Sequence, residues 1–194
     1  NAELALIDTP ELIIGSNLHA GAIQVLGGIS REGNLTLQNT GGTGGIDIQA
    51  ALDVGDGTLA LSSGGSITQT SAGVISAHSL LAQAGGDVLL AAALNDVANT
   101  TLAGSAGGDF EFQDANTLAI GSVSAIGFDA SAGQLSSFAA TGISAGGDAF
   151  VRRASAQQLG KIQGSRIERD RQGRFKVAQG EPFRRAQRCG FGQC

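Results

Sequence analysis

Cys189 and Cys194, the two cysteines of the chain, close it as Cys-Gly-Phe-Gly-Gln-Cys. Between them lie Gly190, Phe191, Gly192 and Gln193, and the two glycines give the backbone the freedom to bring the sulfurs together without much strain. So short a ring removes only roughly 2 kcal/mol of chain entropy. It cannot staple a fold, so a local role for the ring itself is the expectation, with free thiols or an incidental surface disulfide as alternatives. A metal site is disfavoured. Structural zinc takes four ligands, whereas Cys-x4-Cys offers two, and His19 and His78 are far away in sequence. No metal and no cofactor are expected.

Carboxylates are the next candidates. Asp47, Asp53, Asp56, Asp87, Asp96, Asp109, Asp114, Asp129 and Asp148 are spread along the chain, whereas glycoside hydrolysis needs a close pair. Polysaccharide lyases need basic groups beside calcium, and Arg31 is the single base before Arg152, which leaves little to neutralise a developing negative charge. No catalytic residue is therefore assigned, and the chain is expected not to be an enzyme. Asp87, Asp109 and Asp148 each follow a Gly-Gly pair and are expected to stack as solvent-facing corner residues, with a weak calcium site as the lesser reading. Gly41-Gly-Thr-Gly-Gly-Ile-Asp47 resembles a calcium-binding nonapeptide but occurs once, and that motif works in tandem. Asn34 and Asn99 begin glycosylation sequons at about the frequency chance supplies. His19 and His78 read as solvated loop residues.

A third feature is a run of bases. The net charge of −5 conceals a split: residues 1 to 150 hold Arg31 against 14 acids, and residues 151 to 194 hold 11 bases against 3 acids. The first segment repels anionic surfaces and the second seeks them. Arg166, Arg169, Arg171, Arg174, Lys176, Arg184, Arg185 and Arg188 are candidates for contact with an anionic surface or a pore lining, against a solvated strand face as the bland alternative. Phe175, Phe183 and Phe191 are sparse, and no nucleic-acid module accompanies them, so no nucleic acid is expected.

The elements that must position these residues are legible from repetition. Gly-Gly pairs recur at Gly44, Gly64, Gly85, Gly107 and Gly146, and a period near 20 residues means a solenoid. The last gap, 39 residues, reads as two periods, the missing pair being marked by Gly127-Phe128-Asp129. In this alignment GGIDIQ, GGSITQ, GGDVLL, GGDFEF, GFDAS and GGDAFV stand in register. Apolar residues alternate after each pair (Ile46 and Ile48, Val88 and Leu90, Phe110 and Phe112), the period of a strand with one face inward. A second strand recurs in Thr58-Leu-Ala-Leu61 and Thr117-Leu-Ala-Ile120. A coil of about 20 residues traces roughly 65 Å at ~3.3 Å per residue, which suits three short strands. Thirty-one glycines and the lack of Trp, Tyr and Met suit close stacking of small side chains.

These features predict an all-β, right-handed parallel β-helix over residues 1–150, followed in 151–194 by a basic hairpin and an extended tail. The hairpin is expected over Ser165 to Ala178, with Ile167 and Arg169 in one strand, Phe175 and Val177 in the other, and Asp170 to Gly173 as the turn. Leucine-rich repeats share the period but need a recurrent LxxLxLxxN signature, which is missing. The longest apolar run, Val88 to Leu94, falls short of the ~20 residues of a membrane helix. Glu3 to Asp8 and Glu11 to Gly15 read as strands rather than a secretory leader, as expected of a segment from inside a repeat array.

The Gly-Gly coils from Gly44 to about Phe150, taken with the terminal pair Cys189 and Cys194, resemble the exoproteins of bacterial two-partner secretion, the TpsA family of filamentous haemagglutinins and large adhesins. The cysteine pair sharpens the likeness to surface-retained members such as the CdrA-type biofilm matrix adhesin and the high-molecular-weight adhesins. Autotransporters, which share the coils, would end in a membrane barrel with aromatic girdles, and no such pattern follows residue 150. The resemblance implies export through an outer-membrane TpsB β-barrel and folding outside into a long β-helix with a role in adhesion, aggregation and biofilm. It also implies a Cys189–Cys194 disulfide whose loop, Gly190 to Gln193, stays on the periplasmic side as a knot too wide to follow the chain out. The basic tail from about Arg166 to Arg188 would lie in or near the pore. Localisation is then the bacterial cell surface, associated with the outer membrane, and the full-length protein has extracellular polysaccharide as a possible partner. A Thr-Ala-Ala-Gly protease site found in one subgroup is missing here, which leaves that subgroup's release by cleavage without its site. The alternative expectation is a β-helical domain that binds or degrades polysaccharide.

Overall fold

A computed structural model describes residues 4–92, 94–97, 101–153, 166–169 and 175–178. The chain winds as repeated coils of three short strands. The first coil holds β1 (Glu11–Ser16), β2 (Ile23–Val25) and β3 (Ile29–Ser30), and the second β4 (Asn34–Asn39), β5 (Ile46–Ile48) and β6 (Leu52–Asp53). The third holds β7 (Thr58–Ser63), β8 (Ile67–Gln69) and β9 (Ile75–Ala77), and the fourth β10 (Ser79–Ala84), β11 (Val88–Leu90) and β12 (Asp96–Val97). Above them lie β13 (Thr101–Ala106), β14 (Phe110–Asp114) and β15 (Ala119–Ile120), then β16 (Ser122–Asp129), β17 (Gln134–Thr141), β18 (Ile143–Ala145) and β19 (Ala149–Arg153).

Like strands stack into three parallel sheets. The first is β1-β4-β7-β10-β13, topped by β15 and β18; the second is β2-β5-β8-β11-β14-β19; the third is β3-β6-β9-β12. This is the parallel β-solenoid the repeat predicts, consistent with the right hand that crossover connections favour. Each side chain meets its counterpart one coil away. Along the first sheet Leu12, Leu35, Leu59, Leu80 and Leu102 form one inward ladder. Along the second, Ile23, Ile46, Ile67, Val88 and Phe110 form another. These residues and Phe112 meet in a single core. Phe110 fits because Gly104 faces it: a Cβ on Gly104 would lie 2.8 Å from the Phe110 ring and 2.1 Å from the carbonyl oxygen of Ala82.

Four expectations need correction. Leu4–Leu6 is a 3-10 turn rather than part of a strand, and Leu4 packs against the end of the core. The alignment of Gly44-Gly45 with Gly64-Gly65 slips by one, because Ile46 pairs with Ile67; Gly45 therefore stands opposite Ser66, and loop lengths absorb the difference. Most consequentially, the gap between Gly107 and Gly146 is one coil and not two. Phe110 pairs directly with Ala149, and the strand stacked on β13 is split into β15 and β18 by the antiparallel hairpin β16–β17. Gly127-Phe128-Asp129 belongs to that hairpin and marks no coil. Nor does Thr117-Leu-Ala-Ile120 align with Thr58-Leu-Ala-Leu61 as written: Ile120 and not Leu118 continues the Leu59 ladder through Leu102.

The inserted hairpin lies across the outward face of the first sheet. There Ala60, Leu81 and Ala103, one from each of three coils, pack against Val123, Ala125, Phe138 and Ala140. The solenoid's last strand, β19, runs to Arg153, slightly beyond the expected boundary at 150. Further on, β20 (Arg166–Arg169) pairs antiparallel with β21 (Phe175–Ala178), with Ile167 opposite Val177 and Arg169 opposite Phe175, the strand pairing expected from the sequence. The turn from Asp170 to Gly173 lies outside the described residues.

Candidate functional site

The Asp ladder forms at the corner between the first and second sheets. The Ser66 hydroxyl accepts the N–H of Asp87 at 3.0 Å. Asp87 Oδ1 accepts the N–H of Asp109, and Asp109 Oδ1 that of Asp148, both at 2.8 Å. The glycines make this possible, since a Cβ on Gly108 or Gly147 would sit 2.0 or 2.1 Å from the carboxylate oxygen below. The three aspartates stack as expected, and the oxygens of Asp87 and Asp109 hold the next coil's backbone. Ser66, which the sequence reading did not single out, begins the column; its place directly after Gly64-Gly65 was the available signal.

Other carboxylates also serve the fold. Asp47 accepts from Gln49 Nε2 at 2.5 Å and from Thr68 Oγ1 at 3.0 Å. Asp53 caps the turn at Gly55. Asp114 is fully buried and accepts the N–H groups of Val97 (2.9 Å) and Asn116 (2.6 Å); burial pushes its carboxyl above the ordinary aspartate range, with nearby Asp96 adding to the rise. A buried polar knot beside it joins Asn95 and Gln69, with Asn95 donating to the carbonyls of Leu90 and Gln113 and accepting from Ile75 N–H. Among the described residues no three His, Cys, Asp or Glu side chains gather as metal ligands would.

His19 and His78 are both exposed, as expected. Asn34 of the first sequon is half-buried and committed to Glu11 and to the N–H of Thr58; Asn99 lies outside the described residues. Arg31 donates to the backbone carbonyls of Asn34 and Thr9, so it acts as a structural clamp. Arg152 pairs with Glu111 and donates to Gln113 Oε1 at 3.0 Å.

Of the three sheets, the first has its outward face covered by the β16–β17 hairpin. The second presents an outward ladder of Gln24, Asp47, Thr68, Leu89, Glu111 and Phe150, with Phe150 43% and Leu89 37% exposed. Cys189, Cys194, the loop residues Gly190, Phe191, Gly192 and Gln193, and Arg171, Arg174, Arg184, Arg185 and Arg188 lie outside the described residues. Arg166, Arg169 and Lys176 are placed on β20 and β21. No helix among the described residues is long and apolar enough to cross a membrane. No protein-family model matches the chain, and neither a curated protein nor a solved structure matches it.

Proposed function

We propose that this chain is the stalk base and surface anchor at the C-terminal end of a large secreted bacterial adhesin, held in its outer-membrane TpsB-type transporter by a Cys189–Cys194 disulfide loop. The observation that carries the reading is a solenoid in one continuous register, followed in the same chain by a basic segment and a terminal cysteine pair. Its carboxylates support a structural role: Asp87 and Asp109 each bond to the backbone of the adjacent coil, as rungs that brace a stack. The positive tail suits a negatively charged pore or periplasmic face.

In this mechanism the rod bears the load outside the cell, the basic segment threads the pore, and the ring of Gly190 to Gln193 closed by the two sulfurs is the stop. The test is replacement of both Cys189 and Cys194 by Ser in the full-length protein. The expected result is its appearance in the medium; unchanged retention on cells would overturn the anchor.

A second reading rests on the outward ladder that the second sheet presents among the described residues, whose polar groups and exposed Phe150 suit an extended polysaccharide. Glycan arrays probed with this chain decide it, with binding lost on Phe150→Ala as the supporting result and no binding as the refuting one.

A further inference from the structure

We infer that the β16–β17 hairpin is a strap that makes the coils open as one unit, where a plain solenoid would fray coil by coil from its end. In a solenoid each coil touches only its neighbours, so stability is a sum of local terms and a terminal coil opens alone. Here the hairpin leaves the top of the first sheet between β15 and β18 and reaches back to the first coil. On the way it covers Ala103, Leu81 and Ala60. Gln83 Nε2 donates to the carbonyl of Ala139 at 3.1 Å, Thr36 Oγ1 to that of Ile126 at 2.8 Å, and Gln38 Oε1 accepts the N–H of Phe128 at 2.9 Å. At the tip, Asn17 closes the strap. Its backbone N–H donates to Phe128 O at 3.1 Å, its Nδ2 to Asp129 Oδ1 at 2.8 Å, and its Oδ1 accepts the N–H of Ala130 at 2.9 Å. One insertion thus ties the coil that carries β18 and β19 to every coil below it.

The insertion is separable from the coil. Gly142 N–H bonds Gly121 O at 2.6 Å, and Gly142 O accepts the N–H of Gly104 at 2.9 Å, so the two ends of the hairpin meet over β13. Thr101 and Leu102 pair with Ala119 and Ile120; Gly104, Ser105 and Ala106 pair with Ile143, Ser144 and Ala145. Only Ala103 lacks a counterpart, so joining Ile120 to Ile143 through a single glycine gives one unbroken strand in register. The strap is therefore additional to what a coil needs, and its contacts are what it contributes.

The test is native-state hydrogen exchange on the full chain and on the variant with that single-glycine junction. With the strap, amides of β19 and β7 should open with similar protection; without it, β19 should exchange at least about tenfold faster relative to β7. An unchanged ratio in a folded excised chain overturns the inference. If the excised chain does not form β-structure, Asn17→Ala in the intact chain decides. Faster exchange at the distant β19 supports the strap, and a change confined to β1 and the hairpin tip overturns it. Neither outcome depends on the anchor function, which the cysteine replacements test separately.

Discussion

Asp109 Oδ1 lies 2.8 Å from the backbone nitrogen of Asp148, 39 residues later, the same distance that Asp87 Oδ1 keeps from the nitrogen of Asp109, 22 residues later. Equal spacing over unequal sequence separations means that both pairs are adjacent rungs, and the excess chain has left the coil as a hairpin. The carboxylate serves as a removable brace on the next coil's amide, and it requires glycine just before that amide.

That requirement predicts non-additive energetics. Gly108→Ala would place its Cβ 2.0 Å from Asp87 Oδ1 and should cost about 1–3 kcal/mol, the usual range for overpacking. Asp87→Ala removes the obstructing oxygen, so the double variant should be less destabilised than the sum of the singles. Denaturant unfolding of the four chains measures the coupling, and strict additivity would show that the Asp87 oxygen is not the obstacle.

Leu80 and Leu81 are neighbours that face opposite sides of the first sheet, and both are fully buried, Leu80 in the coil interior and Leu81 under the hairpin. Each Leu→Ala change should therefore cost about 2–5 kcal/mol, whereas Leu135→Ala, at 61% exposed, should stay within about 0.5 kcal/mol. A negligible effect at Leu81 would mean that the hairpin does not cover it in solution.

The same pair shows where the sequence was readable. Strict alternation in Ile46 and Ile48 or Phe110 and Phe112 identifies a sheet with one wet face, and these residues are buried as read. The runs Leu59-Ala60-Leu61 and Leu80-Leu81-Ala82 are apolar at consecutive positions, the mark of a strand buried on both faces, yet they do not say what lies on the second face. The covering hairpin carries alternation of its own, and its Gly127-Phe128-Asp129 imitates a corner, so period alone counted it as a coil. Register also lay beyond reach between Gly44 and Gly64, where strand pairing follows Ile46 and Ile67 rather than the glycines. The Asp87, Asp109 and Asp148 column was legible because stacking follows directly from a shared position in the repeat. The contact between Asn17 and Asp129 was not, since no local pattern links residues so far apart.

For the terminal cysteines, intact-mass measurement before and after reduction tests the ring in the surface-retained protein. If Cys189 and Cys194 are bonded, alkylation without a reductant should label neither, and alkylation after reduction should label both. Labelling of both sulfurs in the untreated, cell-associated protein would remove the stop on which retention depends.

Acid should act on this fold with two opposing signs. Burial raises the carboxyl of Asp114 above the ordinary value of 3.8, so the folded chain takes up a proton there before the unfolded chain does. The cost of its buried charge is fully present above the raised value and diminishes as pH falls through it toward 3.8. Asp129 is the reverse. Hydrogen bonds from Ser131 and Asn17, and from the N–H of Ala132, hold its carboxyl below 3.8, so its contribution is present above 3.8 and is lost as pH falls below that value through the lowered one. Denaturant midpoints measured from about pH 6 to about pH 2 should separate the two. Asp114→Asn should abolish a gain in stability on the way down to 3.8, and it leaves one of the Val97 and Asn116 N–H donors facing an amide N–H2 that cannot accept it. Asp129→Asn should flatten the loss below 3.8, and because that carboxylate closes the strap, the wild-type loss there should be accompanied by faster amide exchange in β16 and β17. A pH profile that Asp129→Asn leaves unchanged would show that the tip of the hairpin does not hold its carboxylate in solution.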